Sequence, residues 1–493
     1  MDNRKLLEKS ILKIGEFQRF GSKPGLERVS ALLARLDHPE KDLKVIHVGG
    51  TNGKGSVCRY VYSVLEEAGY RTGIFISPYI EEFTERIEFD GSRISPEDLY
   101  RITEQVTGKA AELVAEGQES PTEFEVLTAI AFCYFREKQA DAVVLEVGLG
   151  GRGDSTNVVE QPLVSCIASV SFDHMDYLGN TLAEIAEEKA GIIKAGCPLV
   201  YAAAEPEVIR ILEGRGTALG AETVNCAEKK ARILEETPDR TVFSVEIRGT
   251  SYEGLTVTMP GRHQVTNAVC ALEMLEILKS RHGFRIGRNH VGAGLERARQ
   301  PGRIEILRTD PMVVLDGSHN ADSVLALCRW IEGTFRPEDR LLMVTGVLRD
   351  KEYRKIGKML AGTGADFIVT EPGNPRKLSA EEYGIALQRY LKPEQQAEIL
   401  ADPEAAAVRG MERLYAKEFL GKPYKALIFT GSLYMIGIVR KIIKGMITEV
   451  SSRDACKQCG IILQQPFGSR NLCGESGQGD RKIPGGRDAD PAL

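Results

Sequence analysis

Val45–Ala68 reads VIHVGGTNGKGSVCRYVYSVLEEA: an apolar run, a glycine-rich turn, then an amphipathic helical pattern. Val45–Val48 is expected as a buried strand and Val57–Ala68 as the helix that follows it. Between them lies Gly49-Gly50-Thr51-Asn52-Gly53-Lys54-Gly55-Ser56. Glycines let backbone N–H groups close around phosphate oxygens with no Cβ in the way, and the helix N-terminus adds partial positive charge. Lys54 can reach β- and γ-phosphates, and the Ser56 hydroxyl can ligate Mg²⁺. Gly55 separates the lysine from the serine, a departure from the common spacing. Strand, loop and helix in this order favour a phosphate loop over a glycine-rich turn that happens to precede a helix. The loop alone does not choose among kinases, hydrolases, switches and ligases.

Strand-like and helical patterns alternate on both sides of this stretch, which predicts a mostly parallel α/β sheet. Thr72–Ile76, Ala142–Val147, Leu163–Val170 and Pro198–Ala202 read as strands, and Thr181–Lys189 as a helix. From about Ala231 to Thr258 the text turns to hairpin-like alternation, an antiparallel annex. Pro301-Gly302 breaks the preceding helical pattern. A second α/β series follows, with strands at Met312–Leu315, Leu341–Thr345, Phe367–Thr370 and Ala426–Thr430. The expected division is 1–298, 299–447 and a flexible tail, 448–493, too poor in apolar residues for a core. No internal repeat is found.

The bulk numbers fit an enzyme-like body. The 493 residues are 42% hydrophobic and 27% charged, enough for two to four domains. A net charge of -6 argues against a nucleic-acid or acidic-membrane binder. No apolar run approaches the ~20 residues that span a bilayer, and Met1–Phe20 lacks the features of a signal peptide. The expected location is the cytoplasm. Cys58, Cys133, Cys166, Cys197, Cys226, Cys270 and Cys328 read as buried reduced thiols. Cys456, Cys459 and Cys473 in the tail supply three of the four ligands that structural zinc needs, so no zinc is expected there.

Ligands of open α/β sheets bind beyond the carboxyl ends of the strands. Glu146 ends one strand, and an acid in an apolar strand is costly to bury unpaired. A Mg²⁺ partner or a basic neighbour would each account for it. Asp173-His174-Met175-Asp176 follows another strand, where His174 and either aspartate could ligate metal or simply hydrogen-bond in a loop. Ser77 could add a hydroxyl. Lys189 sits in Glu187-Glu188-Lys189, where a solvated face is the default, and a lysine beside Mg²⁺ would be repelled. In the second unit Arg303 follows Pro301-Gly302, and Asp316-Gly317-Ser318-His319-Asn320 follows a strand. Such a strand-end acid suits a ribose or an arginine.

Taken together these segments resemble the folylpolyglutamate synthase and dihydrofolate synthase family, relatives of the Mur peptide ligases. The matching strings are Gly50–Ser56 (GTNGKGS), Ser77-Pro78 with Phe83–Ile87 (FTERI), Pro121–Glu125 (PTEFE) and Leu145–Asn157 (LEVGLGGRGDSTN). They continue with Asp173–Gly179 (DHMDYLG), Glu188–Lys194 (EKAGIIK), Pro260–Gln264 (PGRHQ) with Asn267, Pro301-Gly302-Arg303 and Leu315–Asn320 (LDGSHN). They occur in family order over about residues 1–447. The resemblance implies an α/β chain with an N-terminal P-loop ATPase domain and a smaller C-terminal Rossmann-like domain. It implies ligation of L-glutamate to 7,8-dihydropteroate, to a reduced folate, or to both.

The resemblance also assigns roles. Thr51, Asn52, Gly53, Lys54, Gly55 and Ser56 would hold ATP phosphates, and Ser56, Ser77, Glu146 and His174 would face Mg²⁺. Lys189 matches a lysine that is carbamylated in the family, which turns a cation into an anion suited to Mg²⁺. Asn267, Arg303, Asp316 and His319 would contact the nucleotide, those from Arg303 onward from the second domain. The pterin would lie near Ser77 and Thr122–Phe124. Tyr79 stands where the family usually has histidine, and Ser155 and Ser318 stand where alanine is more usual. ATP would activate a carboxylate as an acyl-phosphate that glutamate's amine then attacks. That intermediate must be kept from water, a reason for a second domain to close about a hinge near Arg299–Gly302. A monomer is implied, with ATP, glutamate and a pteridine acid as its only partners. A Mur-type ligase on a UDP-linked precursor would share the loop, His174 and Lys189, but usually carries a separate UDP-binding domain first. A non-catalytic nucleotide-binding regulator would have no need of Lys54, Glu146, His174 and Lys189 together.

Overall fold

A computed structural model of the chain describes residues 2–20, 25–416 and 423–458. The first sheet contains β1 (Val45–Gly49), β2 (Thr72–Phe75), β3 (Ile87–Phe89), β4 (Ser92–Arg93), β5 (Ala142–Glu146), β6 (Val164–Ile167), β7 (Leu199–Tyr201) and β8 (Thr223–Asn225). Their order is β4-β3-β2-β5-β1-β6-β7-β8. From β2 across to β8 every pairing is parallel, and β3 and β4 extend one edge antiparallel. A parallel sheet covered on both faces needs apolar residues at every position, which is why β1 and β5 read as continuous apolar runs. His47 in β1 is tolerated because it stays neutral. Burial pushes its pKa down to about 3, and one ring nitrogen lies 2.8 Å from Thr156 Oγ1.

The switch point of this topology lies at the carboxyl end of β1. That strand sits between β5 and β6, while the helix after it, Lys54–Glu67, carries the chain past β5 to β2. Val48 is paired with Glu146 and Gly49 with Ile167, so the glycine-rich loop emerges between two other strand ends.

One face of the sheet is covered by Lys54–Glu67, Arg262–His282 and the antiparallel annex, whose Phe243, Val245, Tyr252 and Val257 join the same core. The annex consists of β9 (Arg232–Thr237), β10 (Arg240–Ile247) and β11 (Thr250–Val257). Arg248 and Gly249 turn β10 into β11 with φ of 48° and 75°, the mirror-image turn that suits strand twist. The other face is covered by Glu27–Ala34, Pro96–Ala115 and Glu123–Glu137.

The second sheet has β12 (Glu305–Thr309), β13 (Met312–Leu315), β14 (Leu341–Thr345), β15 (Asp366–Val369), β16 (Ala397–Ile399) and β17 (Ala426–Thr430). Its order is β12-β13-β17-β14-β15-β16, parallel except for β12. It has its own core around Val324, Trp330, Met343, Phe367 and Tyr383. Both sheets lie within one compact unit, residues 1–445.

The helix Leu433–Gln458 runs past residue 447, where the sequence suggested that regular structure stops. Cys459 and Cys473, and the side chain of Cys456, lie outside the described residues. The seven other cysteines are buried free thiols. Among the described residues, no helix is long and apolar enough to cross a membrane.

Gly294, in the helix Arg288–Arg297, faces the phosphate-loop helix so closely that a Cβ would lie 2.5 Å from Val64 Cα. In an open helix Gly→Ala would stabilise by ~1 kcal/mol. Here overpacking, about 1–3 kcal/mol, should reverse the sign. Gly294→Ala is expected to lower the midpoint of urea unfolding; a midpoint at or above the parent's would show that the helices separate at no cost.

Candidate active site

The loop that leaves β1 is held by its neighbour across the switch point. Thr51 N–H donates to Ser169 O at 2.8 Å, Asn52 N–H donates to Ser169 Oγ at 2.9 Å, and that hydroxyl donates back to Asn52 O at 3.0 Å. Gly50 (φ 137°) has no room for a side chain, since a Cβ would lie 3.0 Å from the amides of Ala168 and Ser169. At Gly53 (φ 83°) a Cβ would lie 2.5 Å from Asn267 Oδ1, which brings Asn267 directly against the loop. Lys54 curls over the loop, its Nζ donating to Gly50 O and Thr51 O, each at 3.1 Å. Ser56 is reached by Gln264, a residue with no role assigned from sequence. Gln264 Nε2 donates to Ser56 Oγ at 3.2 Å, while Gln264 Oε1 accepts from Asn267 Nδ2 at 3.0 Å. This buried relay ties the helix Arg262–His282 to the end of the phosphate loop.

Glu146 ends β5 beside the loop and is only 5% exposed. Its one hydrogen bond among the described residues comes from Ser77 N–H, 3.1 Å, and no ion pair reaches it. Burial pushes its pKa up, and the fields of Lys54 and Arg303 only partly oppose this. A basic neighbour in contact, one of the two explanations open from sequence, is therefore not what compensates the charge.

Lys189 reverses the sequence expectation of a solvated face. It is 3% exposed at the end of the helix Leu182–Lys189, with no hydrogen bond or ion pair among the described residues. Burial, and then the nearby Lys54, pull its pKa down to about 7. The glycines of Leu145–Asn157 make this possible. A Cβ on Gly151 would lie 2.8 Å from Glu188 O, and one on Gly191 would lie 2.4 Å from Arg152 Cα. Two backbones thus pack together over the lysine. Its surroundings were invisible in Glu187-Glu188-Lys189, but the glycine spacing upstream was a usable signal.

The second sheet's loops meet this site. Asn52 Nδ2 donates to Asn320 Oδ1 (3.1 Å) and Asp322 Oδ2 (3.0 Å), so the phosphate loop itself touches the other domain. Asp173, read as a possible metal ligand, is instead engaged across the domains. It pairs with the buried Lys351, accepts from Asn320 Nδ2 at 2.9 Å and lies 3.5 Å from His319 Nε2. Although burial pushes its pKa up, His319 and Lys351 hold it well below the usual carboxylate range. His174 remains half-buried beside it, in the left-handed region at φ 50°, with its pKa lowered to about 4 mainly by burial. Asp176 is exposed. A cleft between the domains is lined by His174, Tyr177, Asn320, Asp350, Lys351 and others.

Asp316 already uses both oxygens on backbone, accepting from Ile304 N–H (2.9 Å) and Ser318 N–H (3.0 Å). It therefore fixes the backbone next to Arg303. The Arg303 side chain has no hydrogen bond or ion pair among the described residues, yet its field is felt at Glu146. His319 Nδ1 is occupied by Gly317 O at 2.7 Å. Arg86, in the FTERI string, had no role assigned from sequence either. Its guanidinium lies over the rings of Tyr79 (5.0 Å) and Phe83 (5.7 Å), and its enclosed Nε has no partner. Tyr79, the departure from the usual histidine, thus supplies one of the two faces that carry this cation.

The Mur ligase middle domain matches residues 48–275, and the Mur ligase glutamate ligase domain matches residues 302–432. The Bacillus subtilis dihydrofolate synthase/folylpolyglutamate synthase is 37% identical over 428 residues, 86% of this chain and 96% of that protein. This chain belongs to the folylpolyglutamate synthase and dihydrofolate synthase family of Mur ligases. Among solved structures, Mycobacterium tuberculosis folylpolyglutamate synthase complexed with ADP superposes with a TM-score of 0.80 at 30% identity, covering 90% of this chain and 99% of that one. Escherichia coli FolC in complex with DHPP and ADP superposes with a TM-score of 0.77 at 26% identity, covering 89% and 98%. As a member of this family the chain is an ATP-dependent ligase of folate metabolism that attaches glutamate, with ATP and Mg²⁺ as cofactors.

The residues fit a Mg²⁺ ion. Glu146 is a buried carboxylate with no ion-pair partner, and Ser56, Ser77 and Glu146 offer the hard oxygen donors that Mg²⁺ prefers. Among the described residues no three His, Cys, Asp or Glu side chains gather as a metal cage. That agrees with Mg²⁺, which takes one or two carboxylates and completes its shell with water and phosphate. In the metal-free protein the Glu146 charge should be a cost. An acid whose folded pKa is raised binds more protons folded than unfolded, so its contribution to stability falls as pH rises past its unfolded pKa. Glu146→Gln is expected to raise the melting temperature of Mg²⁺-free protein at neutral pH while removing any Mg²⁺-induced shift. A fall in melting temperature, or a retained Mg²⁺ shift, would exclude this role.

Proposed function

We propose that the site acts on the free carboxylate of 7,8-dihydropteroate, of a reduced folate, or of both, and that the residues divide the work as follows. The carrying observation is that Glu146, paired with Val48 just before the phosphate loop, and Lys189 are both buried with no ion-pair partner among the described residues, and that the Lys54 ammonium of the loop acts on both and more weakly on His174. A carboxylate oxygen of the acceptor attacks the γ-phosphorus, and the bond from that phosphorus to the β-bridging oxygen breaks. The α-amine of L-glutamate then attacks the acyl carbon. The bond to phosphate breaks, phosphate leaves, and the nitrogen gives up a proton.

Thr51, Asn52, Gly53, Gly55 and Ser56 bind the phosphates through loop amides and hydroxyl, and Lys54 exchanges the carbonyls of Gly50 and Thr51 for phosphate oxygens. Mg²⁺, when bound by Ser56, Ser77, Glu146 and His174, supplies neutralisation of the charge that builds on the transferring phosphoryl group. Asn267 meets the nucleotide beside Gly53, and Arg303, with Asp316 and His319, approaches it from the second domain. Arg86, with an unpaired guanidinium on the acceptor side, suits a substrate carboxylate. We assign the protein to the cytoplasm as a monomer, in keeping with its free buried thiols.

Phosphate release from ATP with glutamate, compared between dihydropteroate and tetrahydrofolate, tests the reading. Turnover with both marks a bifunctional synthase, and turnover with one fixes the acceptor. No turnover with either, from folded protein with Mg²⁺, rejects the acceptor class. Arg86→Ala should raise KM for the acid substrate about tenfold or more, the order expected for a charged hydrogen bond; an unchanged KM would remove Arg86 from the site.

Carbamylation of Lys189 has a matching pH signature. Only the neutral amine attacks CO₂, and with a pKa near 7 the neutral fraction grows as pH rises through neutrality. Labelling with carbon-13 bicarbonate should give a carbamate resonance that strengthens as pH is raised from about one unit below that pKa to about one unit above it. Its absence from the parent, or its persistence in Lys189→Ala, would reject the modification.

A further inference from the structure

The segment joining the two sheets is pinned at both ends. On the first domain, the Arg299 guanidinium donates to Thr258 Oγ1 and to the carbonyls of Glu296 (2.6 Å) and Ala298 (2.9 Å). Gln300 Oε1 accepts from Arg59 Nε at 3.3 Å. The same carboxamide faces the phosphate loop at Gly55, where an added Cβ would lie 3.5–3.7 Å from it. Arg59 is itself fixed by two bonds to Glu88, 2.5 and 2.7 Å. On the second domain, Gly302 O accepts from Gly317 N–H at 2.7 Å and Gly302 N–H donates to Glu305 at 3.0 Å. Glu305 is in turn clamped by Arg440.

What remains between the anchors is Pro301, whose ring fixes its φ; Gly302, at φ 69°, is already held through both its N–H and its carbonyl. The pivot is thus narrower than Arg299–Gly302. Arg303 comes immediately after it, with a guanidinium that no other described side chain holds. Its position is set by the linker rather than by contacts of its own.

We propose that Gln300 is a positioning residue for the ATP reaction: it registers the linker on the phosphate-loop helix, so that Arg303 is delivered to phosphates held by that same loop. This rests on Arg303 being a nucleotide contact, as proposed for the reaction. A neutral carboxamide suits the task. It bonds Arg59 and faces Gly55 without setting a negative charge beside the phosphates, as glutamate would, or a second positive charge beside Arg59, as lysine would. A short pivot anchored on both sides leaves the arginine little arc to search, which is the entropic part of holding a reacting geometry.

The test is a double-mutant cycle on ATP kinetics with Gln300→Ala, Arg303→Ala and the pair. Gln300→Ala should keep the parent's melting temperature and the KM of the acid substrate, and lose kcat/KM for ATP by about tenfold to a hundredfold, the scale of a small misplacement. The pair should be no worse than Arg303→Ala alone, because Gln300 acts only through Arg303. Parental ATP kinetics in Gln300→Ala, or losses that multiply in the pair, would overturn the proposal. If Gln300→Ala unfolds, Gln300→Met keeps the side-chain length facing Gly55 and removes the Arg59 bond. Taken through the same cycle, it supports or overturns the proposal by the same two results. Parental ATP kinetics in Arg303→Ala would instead reject the assignment of Arg303, and this proposal with it; an impaired Arg303→Ala beside a parental Gln300→Ala rejects the positioning role alone.

Discussion

Lys189 and Glu146 are buried beside the part-buried Lys54, and among the described residues no hydrogen-bonded ion pair joins any of them to the others. Each charge is expensive in isolation. The result is a carboxylate pushed toward its acid form and an amine pulled toward its base form, each by burial first. Such a group of mismatched charges is stable only because the surrounding fold holds it rigidly. It is also what a site for polyphosphate and Mg²⁺ requires, since each of these ligands offsets a charge that the bare protein leaves uncompensated.

The fold imposes this arrangement through close backbone approach. Gly50 lies on the amides after β6, Gly53 on Asn267, Gly151 on the carbonyls at the end of the Lys189 helix, and Gly191 on Arg152. Side chains at these places would separate β1, β5 and β6 from the helices that bring Asn267 and Lys189 in. The glycine density of the sequence is therefore part of the electrostatics, because it sets how near the lysines stand. The second domain adds a further layer by burying Asp173 against Lys351, His319 and Asn320 beside His174, and by touching Asn52 of the phosphate loop. Anything that moves the two domains must act on the phosphate loop as well, through contacts that run to both sides of it.

Much of the architecture was legible because it obeys simple periodicity. β1, β5, β13, β14 and β17 are buried on both faces and read as apolar runs. The annex was recognisable from alternation. Of the strands that escaped, β3, β4, β8 and β16 have three residues or fewer, and β12 is a partly exposed edge strand, so no apolar run marks them. The helix Leu433–Gln458 extends beyond its sequence-based end because its polar C-terminal part carries no core-facing signal.

The sequence alone determined the phosphate loop, the order of the motifs and hence the family, since these depend on residue type and spacing along one chain. It could not determine that Lys189 is buried, that Asp173 belongs to an interdomain ion pair, that Gln264 reaches Ser56, or that the Arg86 guanidinium rests on two rings with its Nε unpaired. Those are properties of distance between segments far apart in the chain. Burial and partner, rather than residue type, decide whether a lysine is a solvated cation or an amine that titrates near neutral pH. Tertiary structure alone set those distances, because only packing brings Lys351 to Asp173 and Gln300 to Gly55.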